Sequence, residues 1–519
     1  MLRRISALLL ALCLLACSGA LAETTYPMDT DVELKIFSTI FWDNTTLGYT
    51  DCNQRPITQY INEATGVNAI WDTYPAGADQ NQVFNTMVAS GTILDYDIFC
   101  GGGINGTNAS QLLADGIALP LNDYMDQVPN YTRYFESVPT LEKKSRTNDG
   151  VYYGFYGMRE SGWANTYIGP LVRQDWLDAL NLEMPRTIAD WETVLRAFKE
   201  HYGATFTSTL SRMNIYGLAG AFNAYTTFAL TRYLNDEGKV QIGASQPEWK
   251  TYMETLHAWY EEGLIDPDLI TNDDNAVRTK ALNEQTGLII FNLGSVDVLN
   301  SQAQEAGLSA QWVGCPYPVN AEGVVPWMQG NPNVAAENYV AWLTGGCDET
   351  KLPVALAWIN WAYSEDGFNT TNYGKEGETF DLVDGKPVLR DSILKSDEGV
   401  SNALMRITST VGSYWPIQAE GLVRAKNSEA ACAAVDTWLE NNDIEKHILP
   451  NISLTDAETT EVADLATALS TYVSEQSLKF FTGERSLDEF DAYVGELEKI
   501  GLPKFLEIYQ GAVDRYNAD

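Results

Sequence analysis

Residues 32–37 read VELKIF, residues 67–71 read VNAIW, and residues 95–100 read DYDIFC. The first stretch alternates apolar and polar side chains, and all three have the length and the β-branched or aromatic residues typical of a strand. The intervening residues 57–65 and 80–89 carry their apolar side chains at helical spacing instead. Strands that alternate with helices in this way predict βαβ units, a mainly parallel sheet and an α/β fold class.

The sequence from residue 176 onward is predicted to be richer in helix. Residues 287–291 are the candidate for a short buried strand, and helical spacing recurs over 189–201, 248–262, 275–283, 352–363, 456–479, 487–500 and 502–516. Six tryptophans lie on helical patterns, and we interpret them as packing residues: Trp176, Trp191, Trp249, Trp259, Trp358 and Trp361.

The first 22 residues have the pattern of a secretory signal peptide. Arg3 and Arg4 precede an apolar run at 5–16, and Ala20-Leu21-Ala22 forms a small-x-small cleavage site. The sequence Leu14-Leu15-Ala16-Cys17 also resembles a lipobox, in which Cys17 would become lipidated. We therefore expect a secreted or extracytoplasmic protein, and the sequence leaves open whether it is released or lipid-anchored to the outer face of the cell membrane.

Composition excludes several classes of partner and site. The chain has 519 residues, enough for two or three domains, and a formal net charge of −37. A negative field repels phosphate backbones, so nucleic acid is excluded as a partner. Five cysteines follow residue 22 without any CxxC spacing, and there are three histidines, so neither a zinc site nor a disulfide scaffold is predicted.

Enzyme motifs are mostly absent. The stretch GGGING at 101–106 matches the dinucleotide-binding pattern GxGxxG. It follows the third predicted strand rather than the first, so we interpret it as a flexible loop at the carboxyl edge of the sheet. The chain contains no GxSxG, HExxH or GxxxxGK[ST] motif. We therefore predict no catalytic residue, no cofactor and no enzymatic activity.

Aromatic residues interleaved with polar ones in loop-like stretches are the positive functional signal. Aromatic faces flanked by amide and charged groups suit sugars, whose C–H faces stack while their hydroxyls form hydrogen bonds. The candidate ligand-binding residues are Trp42, Asp43, Asn44, Tyr156, Arg159, Glu160, Trp163, Trp327, Asn331, Tyr373 and Trp415.

Several longer stretches resemble the family 1 extracellular solute-binding proteins of ABC importers, in particular their large oligosaccharide-binding lipoprotein branch of the Firmicutes type. The stretch VRQDWL at 172–177 and the stretch EGLIDP at 262–267 fit two of its motifs. The most specific matches are WAYSEDGFNTTNYGKEGETF at 361–380 and the segment 480–516.

The resemblance implies a two-lobed periplasmic-binding-protein-like (type II) fold with a hinge and an inter-lobe ligand cleft. We place lobe one at 32–150 plus 318–400, and a helix-rich lobe two at 151–317 plus 401–519. The family further implies a monomer that captures an oligosaccharide and delivers it to an ABC transporter permease. Two alternatives remain open: a binding protein for a peptide or an organic acid, and a secreted glycoside hydrolase.

One departure from the family concerns metal. Many relatives carry a calcium loop after the helix that ends in "FK", whereas residues 198–209 here read FKEHYGATFTST. This stretch lacks the series of carboxylates that calcium requires. We therefore predict no metal site there. Asp266, Asp268, Asp273 and Asp274 also lie close together, and we interpret them as capping and solvating residues.

Overall fold

The computed structural model describes residues 24–38, 47–75, 78–106, 108–216, 218–320, 335–408, 416–440, 447–450 and 452–518. The predicted signal peptide, residues 1–22, and the lipidation candidate Cys17 lie outside these ranges. Within them, no helix combines the length and the apolar character needed to span a bilayer. Cys52, Cys100, Cys315, Cys347 and Cys432 are all free thiols.

Fourteen strands lie in the described residues: β1 Glu33–Ser38, β2 Asn68–Thr73, β3 Ile98–Cys100, β4 Phe155–Arg159, β5 Ile168–Arg173, β6 Thr205–Thr207, β7 Arg232–Leu234, β8 Val240–Ile242, β9 Thr286–Asn292, β10 Trp312–Gly314, β11 Ala335–Leu343, β12 Phe380–Val383, β13 Lys386–Leu389 and β14 Ile417–Gln418.

The α-helices described are α1 Pro56–Thr65, α2 Gln80–Ser90, α3 Ala109–Ala114, α4 Pro129–Thr132, α5 Pro139–Lys144, α6 Gln174–Leu180, α7 Ile188–Tyr202, α8 Leu210–Tyr216, α9 Pro247–Glu261, α10 Asp274–Leu282, α11 Gly294–Glu305, α12 Leu352–Ala362, α13 Glu365–Tyr373, α14 Asp391–Leu394, α15 Val400–Ile407, α16 Glu420–Lys426, α17 Glu429–Trp438, α18 Asp456–Thr482, α19 Phe490–Ile500 and α20 Leu502–Ala518.

The strands form two large sheets and two hairpins. One sheet has six strands in the order β14-β4-β11-β3-β1-β2, and the other has four in the order β10-β5-β9-β6. In the six-stranded sheet β1 runs parallel to both β2 and β3, while β11 is antiparallel to β3 and β4. The predicted strands at 32–37, 67–71, 95–100 and 287–291 are confirmed as β1, β2, β3 and β9, with shifted ends.

The ends of the first elements follow from local chemistry. Helix α1 ends at Gly66, which has a φ of 73° and donates its N–H to the Asn62 carbonyl. This left-handed conformation costs glycine no steric penalty, so Gly66 stops the helix where the sequence predicted. Strand β3 begins later than predicted because residues Thr92–Asp95 form a short 3₁₀-helix that ends at Tyr96. Asp97 then accepts the Lys35 N–H of β1 at 2.8 Å.

Each large sheet has its own apolar core. Trp71 on β2 and Trp358 on α12 meet at 5.9 Å between ring centroids in the core of the six-stranded sheet. In the other core, Trp249 on α9 packs against Phe480 on α18 and Tyr493 on α19. All six tryptophans predicted to serve packing are buried, which confirms that interpretation.

The chain passes from one sheet to the other more than once. Residues 160–167, which we call the crossing segment, join β4 of the six-stranded sheet to β5 of the four-stranded sheet. After β14, helix α17 packs against β10 and β5, so the chain returns to the four-stranded sheet. Strands β4 and β14, which the predicted boundaries assign to lobe two, hydrogen-bond within the six-stranded sheet.

Candidate functional site

The crossing segment brings one edge of each sheet together. Because β3 and β4 are both antiparallel to β11, their carboxyl ends lie at the same edge, and the crossing segment leaves from it. In the other sheet Ile168 pairs with Asn292, so β5 begins where β9 ends. Ligand sites in α/β proteins lie at the carboxyl ends of strands, so these two edges are the candidate site.

Polar contacts join the crossing segment to helix α16. The Glu160 N–H donates to the Gln418 carbonyl at 2.9 Å, and the Glu420 N–H donates to Glu160 Oε2 at 2.8 Å. Ser161 Oγ donates to Glu420 Oε2 at 2.5 Å, and Arg424 Nε donates to Glu420 Oε1 at 2.7 Å. Partial burial raises the pKa of Glu420, but the hydrogen bonds from Ser161 and Arg424 outweigh it and hold that pKa below its usual value.

Trp163 extends this network to helix α17. Its Nε1 donates to Asp436 Oδ1 at 2.7 Å, and the Arg424 guanidinium carbon lies 3.7 Å from its ring centroid. This stacking is a cation–π contact that covers one face of the indole, and Trp163 is 8% exposed. We call Glu160, Ser161, Trp163, Glu420, Arg424 and Asp436 the crossing cluster.

Arg159 and Tyr373, two further predicted ligand residues, are buried. Arg159 is 6% exposed, donates to the Ala164 carbonyl at 3.4 Å and lies 6.0 Å from the Tyr167 ring centroid. Tyr373, at the end of α13, is buried among core side chains. Burial first and the nearby Glu160 charge second raise the pKa of Tyr373 to about 12, so its hydroxyl stays protonated and can donate a hydrogen bond.

Tyr156 lies in the core of the six-stranded sheet, and its contact with ligand stays a prediction. It is 1% exposed, and its hydroxyl pairs with that of Tyr153 at 2.9 Å. Strand β4 lies between two neighbours and is buried over its full length, so consecutive side chains on both faces are covered. Burial and the neighbouring Tyr153 hold the pKa of Tyr156 well above its usual value.

Six of the predicted ligand residues lie outside the described ranges: Trp42, Asp43, Asn44, Trp327, Asn331 and Trp415. For these residues, ligand contact stays a prediction. The structure brings together Arg159, Glu160 and Trp163 at the crossing, with Tyr373 near Glu160.

Five residues in or next to the crossing cluster were missed by the sequence prediction: Ser161, Tyr167, Glu420, Arg424 and Asp436. Tyr167 is 36% exposed and stands directly before β5, at the joined edges. Glu420 and Arg424 are an i, i+4 ion pair on α16, a spacing that could have flagged them together. Asp436 had no local signal, because its partner Trp163 precedes it by 273 residues.

The glycine-rich stretch forms a loop directly after β3. Gly101, Gly102 and Gly103 have φ angles of 101°, 148° and 80°, a backbone path that residues with a Cβ rarely adopt. Trp342 Nε1 donates to the Gly102 carbonyl at 2.9 Å, and Asn108 Nδ2 donates to the Gly103 carbonyl at 2.8 Å. The loop therefore presents carbonyl oxygens to protein donors at the edge of the sheet.

The acidic cluster after α9 is organised by a lysine. Lys280 Nζ donates to Asp266 Oδ1 and Oδ2 at 2.9 and 2.7 Å, to Asp268 Oδ2 at 2.9 Å and to Asn272 Oδ1 at 3.1 Å. We call these four residues the lysine cage. Burial raises the pKa of Asp266, but the Lys280 and Asn272 hydrogen bonds reverse that effect and lower it. Asp266 is thus a buried ion-pair partner and not a solvated residue, which corrects the sequence interpretation.

Asp273 and Asp274 have other partners. Asp273 caps helix α10 by accepting the Ala276 N–H, as predicted for a capping residue. Asp274 forms a two-pronged ion pair with Arg212. In the part of the chain that the structure describes, no group of three or more histidine, cysteine or acidic side chains is arranged to hold a metal ion.

Comparison of the sequence with known proteins identifies a family and several relatives. Residues 54–367 match the family model described as bacterial extracellular solute-binding protein. The chain is 22% identical to the fructooligosaccharide ABC transporter substrate-binding protein FusA of Streptococcus pneumoniae, over 96% of this chain and 93% of FusA. It is 23% identical to the polygalacturonan/rhamnogalacturonan-binding protein YtcQ of Bacillus subtilis, over 79% of this chain and 78% of YtcQ.

Solved structures share the fold over nearly the whole chain. The alginate-binding protein AlgQ2 superposes with a TM-score of 0.70 at 23% identity, covering 95% of this chain and all of AlgQ2. A human-milk-oligosaccharide (HMO) binding solute-binding protein of Bifidobacterium longum infantis gives a TM-score of 0.74 at 20% identity, covering 94% and 99%. These likenesses confirm the predicted α/β fold class of periplasmic-binding-protein type.

Proposed function

Because this chain belongs to the family of bacterial extracellular solute-binding proteins, we propose that it captures an oligosaccharide between its two α/β halves. It then delivers the sugar, without turnover, to the permease of an ABC transporter. FusA and YtcQ, which align with most of the chain, are both named for binding carbohydrate polymers or oligomers. Their names include neutral and acidic sugars, so family membership leaves the charge of the ligand open.

The observation that supports this function best is the pair of sheet edges that the crossing segment joins. Two sheets with separate cores meet at one pair of edges, where an exposed tyrosine stands beside arginine, glutamate and serine side chains. Such groups can stack on a sugar ring and bond its hydroxyls. A ligand that contacts both halves favours the closed arrangement, because only the difference in affinity between two states shifts their equilibrium.

Several finer features belong to the same proposal. Lobe one comprises about residues 32–150 plus 318–400, together with β4 and β14, which pair within its sheet, and lobe two comprises the rest of 151–317 plus 401–519. The protein acts outside the cytoplasmic membrane as a monomer, either released by cleavage after Ala22 or tethered by a lipid on Cys17. The extracellular family and the similarity to Lipoprotein LipO of Bacillus subtilis support this location.

Thermal unfolding in the presence of glycans tests the function. A specific ligand should raise the melting temperature by an increment that grows with its concentration, since it binds the folded state alone. The glycan is then recovered and its length analysed. Intact recovery with a saturable shift supports capture for import, whereas shortened products would point to the alternative of a secreted glycoside hydrolase.

A second set of measurements tests the alternative that the ligand is a peptide or an organic acid. The same measurement is made with peptides and with small organic acids at matched concentrations. A saturable shift for either class, without any glycan response, would replace oligosaccharide by that class of ligand. The absence of a response to all three would contradict a soluble-ligand binding role.

A further inference from the structure

We infer that the ligand is an uncharged oligosaccharide, in contrast to the acidic, uronate-containing polymers that some relatives are named for. This inference rests on the proposed function and names the chemical class of its substrate. An acidic sugar carries a carboxylate on every charged unit, so its site needs cations that are not already neutralised. The charges at the two joined edges can therefore be compared with that requirement.

At the first edge the charges are predominantly negative. Glu160, Glu420 and Asp436 contribute three carboxylates to the crossing cluster, and Asp436 and Glu160 are both exposed. Arg424 is engaged by Glu420 at 2.7 Å, lies 3.8 Å from Asp436, and presents its planar face to Trp163. Its guanidinium is therefore already used by carboxylates and by the indole.

Arg159 does not offset this balance. Its side chain is almost wholly buried, and NH1 is directed to the Ala164 carbonyl. The next residue, Glu160, is exposed and adds a negative charge to the same edge, where its carboxylate accepts the Glu420 N–H.

At the second edge the cations are balanced by carboxylates. Past the end of β6, Arg212 is bound by Asp274, and Arg278 also acts on Asp274, whose pKa both arginines lower. Lys280 is held inside the lysine cage by two carboxylates. Among the described residues at this edge, three cations thus stand against three carboxylates, with Arg278 sharing Asp274 with Arg212.

Arg173, the other cation that an acidic ligand could have used, lies at the opposite end of β5. It is bound by Asp175 at 2.7 Å and by Glu284 at 3.2 Å, and it stacks on Trp176. Of the eleven residues predicted from the sequence to contact ligand, one is a cation and two are carboxylates. With a net charge of −37 behind it, the site repels a polyanion and suits neutral hydroxyls and aromatic stacking.

The test uses pairs of oligosaccharides that share length and linkage and differ at C6. Galactose oligomers are paired with galacturonate oligomers, glucose with glucuronate, and mannose with mannuronate. Affinities are measured by calorimetry at ionic strengths of about 0.02 M and about 0.5 M, where the Debye length falls from about 20 Å to about 4 Å. For the pair whose linkage the protein binds, we expect the neutral member to bind at least about tenfold more tightly than the acidic one at low salt. The difference in Kd should be smaller at high salt.

Substitution at the crossing sharpens the test. We define the preference for the neutral member as the acidic Kd divided by the neutral Kd. Glu160→Gln should reduce this preference by a few-fold, because it removes the exposed negative charge. Glu349→Gln is the matched control, since Glu349 is an exposed glutamate in the turn after β11, at the other end of the sheet. It should leave the preference unchanged.

The outcomes separate this inference from the function on which it rests. An acidic member that binds as tightly as its neutral partner, or more tightly, would overturn the inference and leave oligosaccharide capture intact. If no member of any pair binds, and the glycan panel above is also silent, then oligosaccharide capture itself is contradicted, and the inference with it.

Discussion

The crossing cluster and the lysine cage are both built from carboxylates around one cation, yet they differ in burial and in origin. In the cage, the Asp266 side chain is 5% exposed and all four residues lie within 15 positions of one another. In the crossing cluster, the Arg424 side chain is 40% exposed and its partners are contributed by segments some 260 residues apart. The cage can hold a loop in one geometry, whereas the exposed cluster can break and reform at low cost, as a region that moves with ligand requires.

The largest loss of stability should come from removing the lysine of the lysine cage. Lys280→Met leaves Asp266 buried without its cation, and we expect a loss of about 3 kcal/mol in the free energy of unfolding. Denaturant titration measures it. Lys395→Met is the matched control, because Lys395 and Asp391 form an exposed pair on α14 that should contribute less than about 0.5 kcal/mol.

The cage also fixes the sign of a pH effect. The folded-state pKa of Asp266 is lowered, so its stabilisation is present above the pKa of about 3.9 in the unfolded chain and is lost as pH falls through the folded value. Lys280→Met should therefore flatten this part of the stability profile in acid. A variant as stable as the parent would show that the cage does not hold the loop.

The second-largest loss of stability should come from disturbing the close packing of β5 against helix α17. Gly169 on β5 lies against the Trp438 indole, and a Cβ at that position would overlap the ring. Gly169→Ala should therefore cost about 2 kcal/mol, measured by denaturant titration. Gly495→Ala, in the middle of α19, has open space around it and should stabilise by about 0.5 kcal/mol through helix propensity. Equal losses in the two variants would contradict this packing argument.

These regions also show which features a sequence can predict. Strands β1, β2 and β9 and the buried tryptophans were predictable, because apolar periodicity is local and packing alone determines it. The end of α1 was predictable from a different local signal, the glycine that follows it. The deep burial of Tyr156 was not predictable, because β4 is covered on both faces and the alternation that separates buried from exposed side chains is absent from its sequence.

The polar clusters were less predictable, because their chemistry depends on distant partners. Asp266 and Asp268 were recognised only as members of a group of four nearby aspartates. Lys280 lies on the following helix, and only the fold shows that its ammonium binds both of them. Glu160 and Trp163 were proposed from their loop context. The i, i+4 spacing of Glu420 and Arg424 could have identified them as a pair. Their contact with the crossing segment, and that of Asp436, could not be predicted, since hydrogen bonds over such sequence separations leave no periodic signal.

A smaller effect separates ligand contact from simple exposure. Tyr167 is the exposed aromatic side chain at the joined edges, and if it stacks on the sugar, Tyr167→Ala should weaken binding by about 1 kcal/mol, or about fivefold in Kd. Tyr202→Ala is the control. Tyr202 is similarly exposed but stacks on Trp176 at 4.1 Å at the end of α7, so its loss should leave the Kd unchanged. Equal effects would remove Tyr167 from the site.

The smallest effect should come from the ion pair that defines the crossing cluster. Arg424→Gln removes one of the two hydrogen bonds that hold the pKa of Glu420 below its usual value, and solvent screening limits the cost to about 0.5 kcal/mol. Because the folded-state pKa is depressed, this contribution is present above the unfolded value of about 4.3 and disappears as pH falls through the folded one. The loss should therefore be seen at pH 7 and diminish as the pH is lowered through the folded-state pKa, which denaturant titration over a series of pH values measures. Arg390→Gln, which breaks an exposed pair with Asp381 at the β12–β13 hairpin, is the control and should leave ligand affinity unaltered. A loss of several kcal/mol on Arg424→Gln would instead place the crossing cluster with the lysine cage, as a fixed part of the fold.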